Sequence, residues 1–503
     1  MFAVSCPRTA PDLPPSFRIF VRMKRKTIKK LIFIPLGSLM LLLGLVIGAA
    51  ALLLTPKRLT PLVTDLCDRY LDAQVRFDTV SVALFRDFPY VTLQLHGAEV
   101  VSHAFDRLPD SVRVTLPAEA DTLARIGRLA VSLNPWKLAS GRADIRRIAL
   151  EAAHLHAFVA PDSTANWEIY RADTTARKET DTTGDAFEID IERISVRKGL
   201  HAVYDSRPDS MAGTVHLRSF FVRGQLSTDL FRNEIRRLRL RECTAELSLG
   251  GQSAGLRIDS LTADGGRREG LRISLDAKKI HAGAFDGLDS LQLRTALRFD
   301  GPDRRELNVN RFDLRLNDIL VTAAGQAIFR GDSIVTAIGV QSPRLPIAGL
   351  LRLIPTSVMP LARDYETDLA AALDLRIDGP WNPATGALPD ITADYRMPAG
   401  YLFYVKDRNG SRIDTLALDA TLRFRPRHPD STGVELRKFK VSGIGMRLEA
   451  HGDLDRLTGD AGFNGAVKGD LSLDYLSRHF PAPDGSTFGG RIAMDLRGHA
   501  RLS

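Results

Sequence analysis

Cysteine is scarce in this sequence. Three cysteines, Cys6, Cys67 and Cys243, occur among 503 residues. Proteins that depend on a disulfide framework carry several cysteines in a short chain, so this class is excluded. One bridge between Cys67 and Cys243 stays open as an alternative, although two isolated thiols are more often unpaired.

Motifs for phosphate binding, metal binding and catalysis are also missing. The sequence has no glycine-rich loop ending in Lys-Ser or Lys-Thr and no Cys-x-x-Cys pair. His154 and His156 lie on one side of a predicted strand, but no third metal ligand is near, which favours solvent-facing histidines. Ser253 is the centre of a G-x-S-x-G sequence, yet the alternation on both sides predicts a hairpin and not a strained elbow before a helix. We therefore predict no catalytic residue, cofactor or metal site and no enzyme; a hydrolase using Ser253 is the least favoured alternative.

Ionisable side chains are absent from residues 31–54. As a helix this segment would be roughly 36 Å long, which is enough to cross a hydrocarbon core of about 30 Å with some tilt. The sequence predicts a transmembrane helix here. A cleavable signal peptide is the alternative because Ala49, Ala50 and Ala51 offer small residues for cleavage, but the apolar segment continues beyond them.

Positive charge is concentrated on one side of this segment. Eight lysines and arginines among residues 1–30 stand against Asp12 alone, and Lys57 and Arg58 complete the formal net charge of +9. The bias predicts a cytoplasmic basic stub at residues 23–30, a single-pass inner-membrane protein, and export of the residues after 58. Residues 59–503 are nearly neutral, so the high isoelectric point does not indicate nucleic acid. Residues 1–22 are predicted to be a disordered lead-in, with Met23 as an alternative start.

Most of the exported part shows apolar residues at every second position. Runs such as residues 91–95, 291–299 and 312–316 alternate in this way and predict strands with one apolar and one polar face. Short turn signals between the runs favour antiparallel neighbours. The fold class predicted is mainly β: one N-terminal transmembrane helix followed by a long curled antiparallel-rich sheet with a few short helices.

The sequence also predicts an internal organisation. A short amphipathic helix is expected at residues 59–71, within an N-terminal β region at 55–170. The polar segment 171–185 is expected to be a flexible loop and a boundary, and residues 186–503 a repetitive β region. Residues 344–355 and 470–481 are similar apolar segments, each followed by a similar strand, which predicts a partial repeat of about 120 residues. The second copy stops at Ser503, so we expect a truncated repeat.

Several segments resemble the AsmA-like family of inner-membrane-anchored bacterial proteins. The resemblance lies in the anchor with its TPKRLTPLV exit, in residues 75–100 and 126–158, in Asn166-Trp167 of ANWEIY, and in residues 187–205. It covers residues 23–225 well and becomes diffuse afterwards. The family is similar to TamB-like proteins and to bridge-like lipid carriers, in which long curled sheets form an apolar trough, and it supplies no catalytic signature.

The resemblance implies a function in outer-membrane biogenesis, in which a periplasmic β-groove holds or conducts phospholipid. Exposing the tails of a two-chain lipid to water costs on the order of 20 kcal/mol, which a shared apolar face would remove. The implied partners are the inner membrane, phospholipid, and outer-membrane proteins or their assembly machinery, with no nucleic acid. The residues expected to line the groove are Leu93, Leu95, Val131, Leu133, Leu293, Leu297, Leu314, Leu316, Leu422, Phe424, Met446 and Leu448.

Two alternatives remain at this point. The same apolar residues would also suit the core of an ordinary β-sandwich. A scaffold that binds outer-membrane protein precursors through exposed strand edges is the second candidate function.

Overall fold

The computed structural model describes residues 56–87, 89–134, 136–137, 143–169, 189–227, 234–266, 270–301, 305–406, 412–457, 461–479 and 488–502. The predicted lead-in, basic stub and transmembrane helix, and the loop at 171–185, lie outside these residues. None of the helices in the described ranges is both long enough and apolar enough to cross a bilayer. The chain divides into two units, Met1–Leu59 and Thr60–Ser503.

Helix α1, Pro56–Tyr70, precedes the strands and begins three residues before the predicted 59–71. The described residues of the second unit then form 22 strands. Their bounds are β1 Ala73–Arg76, β2 Thr79–Asp87, β3 Tyr90–Ser102, β4 Thr122–Leu133, β5 Ala143–Val159, β6 Ile189–Ser206, β7 Met211–Ser227, β8 Glu234–Leu249, β9 Gln252–Gly266, β10 Gly270–Ala282, β11 Phe285–Asp300, β12 Glu306–Leu316, β13 Ile319–Arg330, β14 Ser333–Pro346, β15 Tyr365–Thr367, β16 Ala370–Trp381, β17 Asp390–Tyr404, β18 Arg412–Phe424, β19 Gly433–Gly443, β20 Met446–Asp455, β21 Ala461–Ser472 and β22 Arg491–Leu502.

All 22 strands belong to one sheet, which is not closed. Strands β1 and β2 both pair with β3 and form one edge. From β3 to β14 each strand pairs with the next, β14 then pairs with β16, and the order continues to β22. The short β15 pairs with the end of β17. The predicted mainly β class is confirmed, and a sandwich is excluded for the described residues because it needs a second sheet.

One pair of neighbours departs from the antiparallel pattern. Strands β5 and β6 are parallel and stay in register from Ala143–Ile189 to Val159–Ser206. A parallel pair needs a connection long enough to return the chain to the starting end of the sheet, and the 29 residues between Val159 and Ile189 serve this purpose. Strands β5 and β6, which precede and follow residues 171–185 in the sequence, therefore belong to one sheet; the boundary expected at 171–185 stays a prediction.

Short helices occur only in a few of the described connections. The β3–β4 connection carries a 3₁₀ turn, Ala104–Arg107, and the four-residue helix α2, Asp110–Arg113. Helix α3, Ile347–Leu353, follows β14, and helix α4, Leu473–His479, follows β21. These last two helices lie within the apolar segments of the predicted repeat. The strand before each helix pairs with a strand after it: β14 with β16, and β21 with β22. Two further 3₁₀ turns span Pro360–Asp364 and Pro429–Ser431.

Left-handed residues interrupt several strands between β3 and β10. Gly97, Ala152, Lys198, Glu242 and Lys279 have φ values of 61°, 52°, 57°, 49° and 52°. Register shifts accompany the residues on β6 and β10. Residues other than glycine rarely adopt this backbone conformation. In a strand it is associated with β-bulges, which bend the strand and increase its twist. Strands β3, β5, β6, β8 and β10 each carry one such residue.

A small buried cluster closes the β3–β4 connection against β5. Its centre is Phe105 and Phe158, whose rings meet edge to face at 5.8 Å. Asn166, which is 0 % exposed, supports the cluster. Its Oδ1 accepts a hydrogen bond from the Phe158 N–H at 3.0 Å, and its Nδ2 donates to the carbonyls of Ala120 and His156 at 2.9 and 2.7 Å. The asparagine of the Asn166-Trp167 pair thus satisfies three backbone groups, of which the His156 carbonyl is part-buried.

Candidate apolar binding face

Register partners on neighbouring strands define one continuous row of side chains across the sheet. Directly opposed residues on adjacent strands share a face, so a row can be followed from strand to strand. This first row crosses twenty strands, β2 to β14 and β16 to β22. Its members are Val82, Leu93, Val131, Ile148, Ile194, Val222, Leu238, Ala263, Ile273, Thr295, Phe312, Ala323, Val340, Leu375, Ala393, Leu422, Val434, Leu454, Phe463 and Ala500.

Nineteen of these twenty residues are apolar; Thr295 is the exception, and its buried hydroxyl has no hydrogen-bond partner among the described residues. At about 4.8 Å between strands, the row has a contour length of roughly 90 Å. A row of this length is far longer than one acyl chain needs, so it forms an extended surface and not a single pocket.

A second row lies two residues away on β2 to β13 and is apolar throughout. Its members are Val80, Leu95, Leu129, Leu150, Val196, Phe220, Leu240, Leu261, Leu275, Leu293, Leu314 and Val321. We call the surface formed by the two rows and by the residues that alternate in phase with them the apolar face.

All twelve residues predicted to line a groove lie on the apolar face. Leu93, Val131 and Leu422 are in the first row, and Leu95, Leu293 and Leu314 are in the second. The other six occupy in-phase positions on the same strands or on β20: Leu133, Leu297, Leu316, Phe424, Met446 and Leu448. The structure brings these residues onto one surface; their role as groove lining stays a prediction.

The apolar face is only partly covered. Most of its large side chains are half-buried by their neighbours, and few are fully buried. Phe299, Leu422 and Leu496 on this face are 43 %, 40 % and 63 % exposed. Monomeric soluble proteins rarely leave a contiguous apolar surface of this extent open, and such surfaces mark binding sites. The apolar face is therefore a candidate binding surface.

Helix α3 covers one stretch of the face. Ile347 at its start packs with Leu345 and Leu402 on the buried residues Leu369 and Met397. The helix reaches the sheet closely at β11, because a Cβ built on Gly287 would lie 1.9 Å from the Arg352 carbonyl oxygen. This helix covers a limited group of strands, and the two rows continue on either side of it.

The opposite face of the sheet is polar. The row adjacent to the first row is polar on each strand from β9 to β22, except β15, which the row does not cross. It consists of Thr262, Ser274, Arg294, Asp313, Thr322, Gln341, Asp374, Asp394, Thr421, Glu435, Asp453, Asn464 and His499. Nη2 of Arg294 donates to both carboxylate oxygens of Asp276, at 2.7 and 2.9 Å. Charged and polar side chains dominate this face, so the two faces differ in the ligands they can take.

The G-x-S-x-G sequence lies in the hairpin between β8 and β9. Ser253 lies at the start of β9, directly after the Gly250–Gly251 turn from β8, and opposes Ser248. The predicted hairpin is confirmed, and no helix follows the serine as a nucleophile elbow requires.

The histidine pair has neighbours that sequence spacing did not reveal. His154 lies across from His201, with ring centroids 5.8 Å apart, and His201 lies across from His216 at 6.1 Å. His154, His156 and His201 line a cavity of about 440 Å³ together with Glu119. Within the ranges that the structure covers, no three His, Cys, Asp or Glu side chains are arranged to hold a metal ion.

The two cysteines in the described residues are free thiols. Cys243 is buried on the apolar face beside Val196 and Leu217, and burial raises the pKa of its thiol. Burial also raises the pKa of Cys67, which lies on α1, with Asp68 contributing. Both thiols therefore stay protonated at neutral pH and are poor nucleophiles.

Comparisons with protein-family models, with curated proteins and with solved structures find no match to this chain. The description of the site therefore depends on the geometry of the apolar face.

Proposed function

We propose that this protein is a membrane-anchored, non-enzymatic lipid carrier of the AsmA-like type, which holds or conducts phospholipid along its apolar face and serves outer-membrane biogenesis. The observation that carries the proposal is the continuity of the first row across twenty strands. Acyl chains laid along this row replace water on both the lipid and the protein, at about 25 cal/mol per Å² of apolar area. Head groups stay in water because the sheet is open.

The anchor and compartment belong to the same proposal. The uncharged segment 31–54 and the basic residues before it support an inner-membrane anchor with the sheet in the periplasm. The left-handed bulges of β3 to β10 support a curled sheet, since each bends its strand. A curled sheet with this apolar face on its concave side would form the groove of a lipid conduit.

The test is the lipid content of the purified full-length chain. We expect at least one phospholipid per chain, measured by mass spectrometry, to survive extensive exchange into fresh detergent. Retained phospholipid should be displaced by a long-chain fatty acid and not by its short-chain homologue, because the row binds through methylene groups. A chain that loses all phospholipid on exchange would contradict the proposal.

A scaffold that binds clients through a strand edge is the second candidate function, and one observation favours it. Strand β22 pairs only with β21 in the described residues, so its other edge presents unpaired backbone groups along Arg491–Leu502. An extended client segment could add to such an edge. This function predicts crosslinks from β22 to unfolded outer-membrane proteins, and full activity when charges are placed on the apolar face.

A further inference from the structure

The polar face of β4, β5 and β6 carries an unusual concentration of arginines. Arg128 on β4 opposes Glu151 on β5, which opposes Arg197 on β6. Arg147 lies on β5 four residues before Glu151. Ile145 pairs with Ile191 and Ile148 with Ile194, so Arg147 lies opposite Arg193 on β6. Two levels of guanidinium groups therefore lie on the same three strands.

Small side chains separate the two levels. Ala130, Ala149 and Ser195 oppose one another on the three strands, and Phe221 of β7 follows Ser195. Ala130 is 2 % exposed and Ser195 is 6 % exposed. The short side chains lie at the bottom of a cavity of about 90 Å³, and the arginines lie around it. Its lining consists of Ala130, Ala149, Ser195, Phe221, Glu151, Arg128, Arg147, Arg193 and Arg197.

The charges in this cavity are not balanced. Glu151 is the one carboxylate among the described residues that line it; it already accepts from Lys198 at 2.9 Å and lies 3.5 Å from Arg128. The hydrogen bond from Lys198 lowers the pKa of Glu151, so the carboxylate stays ionised at neutral pH. The guanidinium groups of Arg128, Arg193 and Arg197 and the Lys198 ammonium thus face the one negative charge of Glu151.

Two hydrogen-bond donors in the cavity also have no acceptor among the described residues. The Nε atoms of Arg128 and Arg193 are buried and have no hydrogen-bond partner among the described residues. Arg193 otherwise contacts the Phe221 ring, 6.0 Å from its centroid. A buried donor without an acceptor costs about 1–3 kcal/mol, so an anion that accepts from these groups would be favoured.

We propose that these residues form a binding site for a phosphate group. The cavity of about 90 Å³ is large enough for one tetrahedral oxyanion. The excess of at least three positive charges favours a phosphate dianion over a carboxylate, and guanidinium groups bind phosphate oxygens in pairs. The site lies on the face opposite the apolar rows, so it does not take the head group of a lipid whose tails lie on the apolar face.

Calorimetric titration of the full-length chain tests this site, with inorganic phosphate and glycerol 1-phosphate as probes at constant ionic strength. Both probes should bind, and Arg193→Gln should weaken binding at least about tenfold through the loss of a charge-assisted hydrogen bond. Arg197→Gln is the second variant, because Arg197 is exposed and its replacement should leave the fold intact. Arg239→Gln is the matched control: Arg239 opposes Phe221 on the same face and does not line the cavity.

The two probes identify the source of the phosphate. Equal affinities would indicate a site for the free ion, and tighter binding of glycerol 1-phosphate would indicate a phosphate carried on a larger molecule; both results support the proposal. Failure of both probes to bind at millimolar concentration would overturn it. Equal weakening by Arg193→Gln and Arg239→Gln would also overturn it, because the effect would then be one of general surface charge.

Discussion

Replacing Leu293 with aspartate is expected to remove most of the phospholipid retained by the full-length chain. Leu293 lies in the second row, directly opposite Leu275 and Leu314 on its two neighbouring strands. A carboxylate here would have to lose water whenever an acyl chain covered it, at a cost of several kcal/mol. We expect more than about a tenfold drop in phospholipid per chain, measured by mass spectrometry after detergent exchange.

Gln292→Asp is the matched control for this variant. It places the same charge one residue away on the same strand, where the side chain is exposed on the polar face. Leu422→Asp is a second test at a row position that is already 40 % exposed, so the folding cost of the charge is small. Equal lipid retention in Leu293→Asp and Gln292→Asp would contradict lipid binding on the apolar face and favour the strand-edge scaffold.

Asn166→Ala is expected to cause a large loss of thermal stability. The substitution removes the side-chain hydrogen bonds to the buried Phe158 N–H and Ala120 carbonyl and to the part-buried His156 carbonyl. At about 1–3 kcal/mol for each unsatisfied group, partly offset by local relaxation, we expect the unfolding free energy to fall by about 2–4 kcal/mol. The measurement is thermal denaturation followed by circular dichroism.

Asn464→Ala provides the comparison for this prediction. Asn464 is exposed on the polar face, and its loss should change the unfolding free energy by less than about 0.5 kcal/mol. Similar thermal midpoints for the two variants would show that the buried cluster around Phe158 does not depend on the asparagine.

Alternation in the sequence was sufficient to predict the strands and the sorting of their side chains. Leu293 and Leu314 were expected on one apolar face, and the register places them directly opposite each other. This prediction succeeded because an antiparallel meander with short connections keeps successive strands adjacent. The segments 344–355 and 470–481 were likewise expected to be helical interruptions, and α3 and α4 are found within them.

Features that depend on long-range pairing could not be predicted in this way. Arg147 and Arg193 are neighbours through the parallel pairing of β5 and β6, which the sequence does not signal. The contact between His154 and His201 has the same origin. The role of Asn166 could be noticed as a motif but not explained, since its partners Ala120 and His156 come from two other segments. Sequence periodicity shows on which face of the sheet a residue lies. It does not show which residues from distant parts of the sequence become its neighbours on that face.

Photo-crosslinking from adjacent residues on opposite faces tests the central proposal most directly. A photoreactive amino acid is placed at Leu95, Leu240 and Leu314 of the second row, and separately at their polar-face neighbours Gln94, Arg239 and Asp313. Each variant of the full-length chain is irradiated in cells, and covalent phospholipid adducts are identified by mass spectrometry. Adducts at all three row positions and at none of the three neighbours are the predicted result. Adducts at both sets alike, or at neither, would contradict the assignment of the apolar face as the lipid-binding surface.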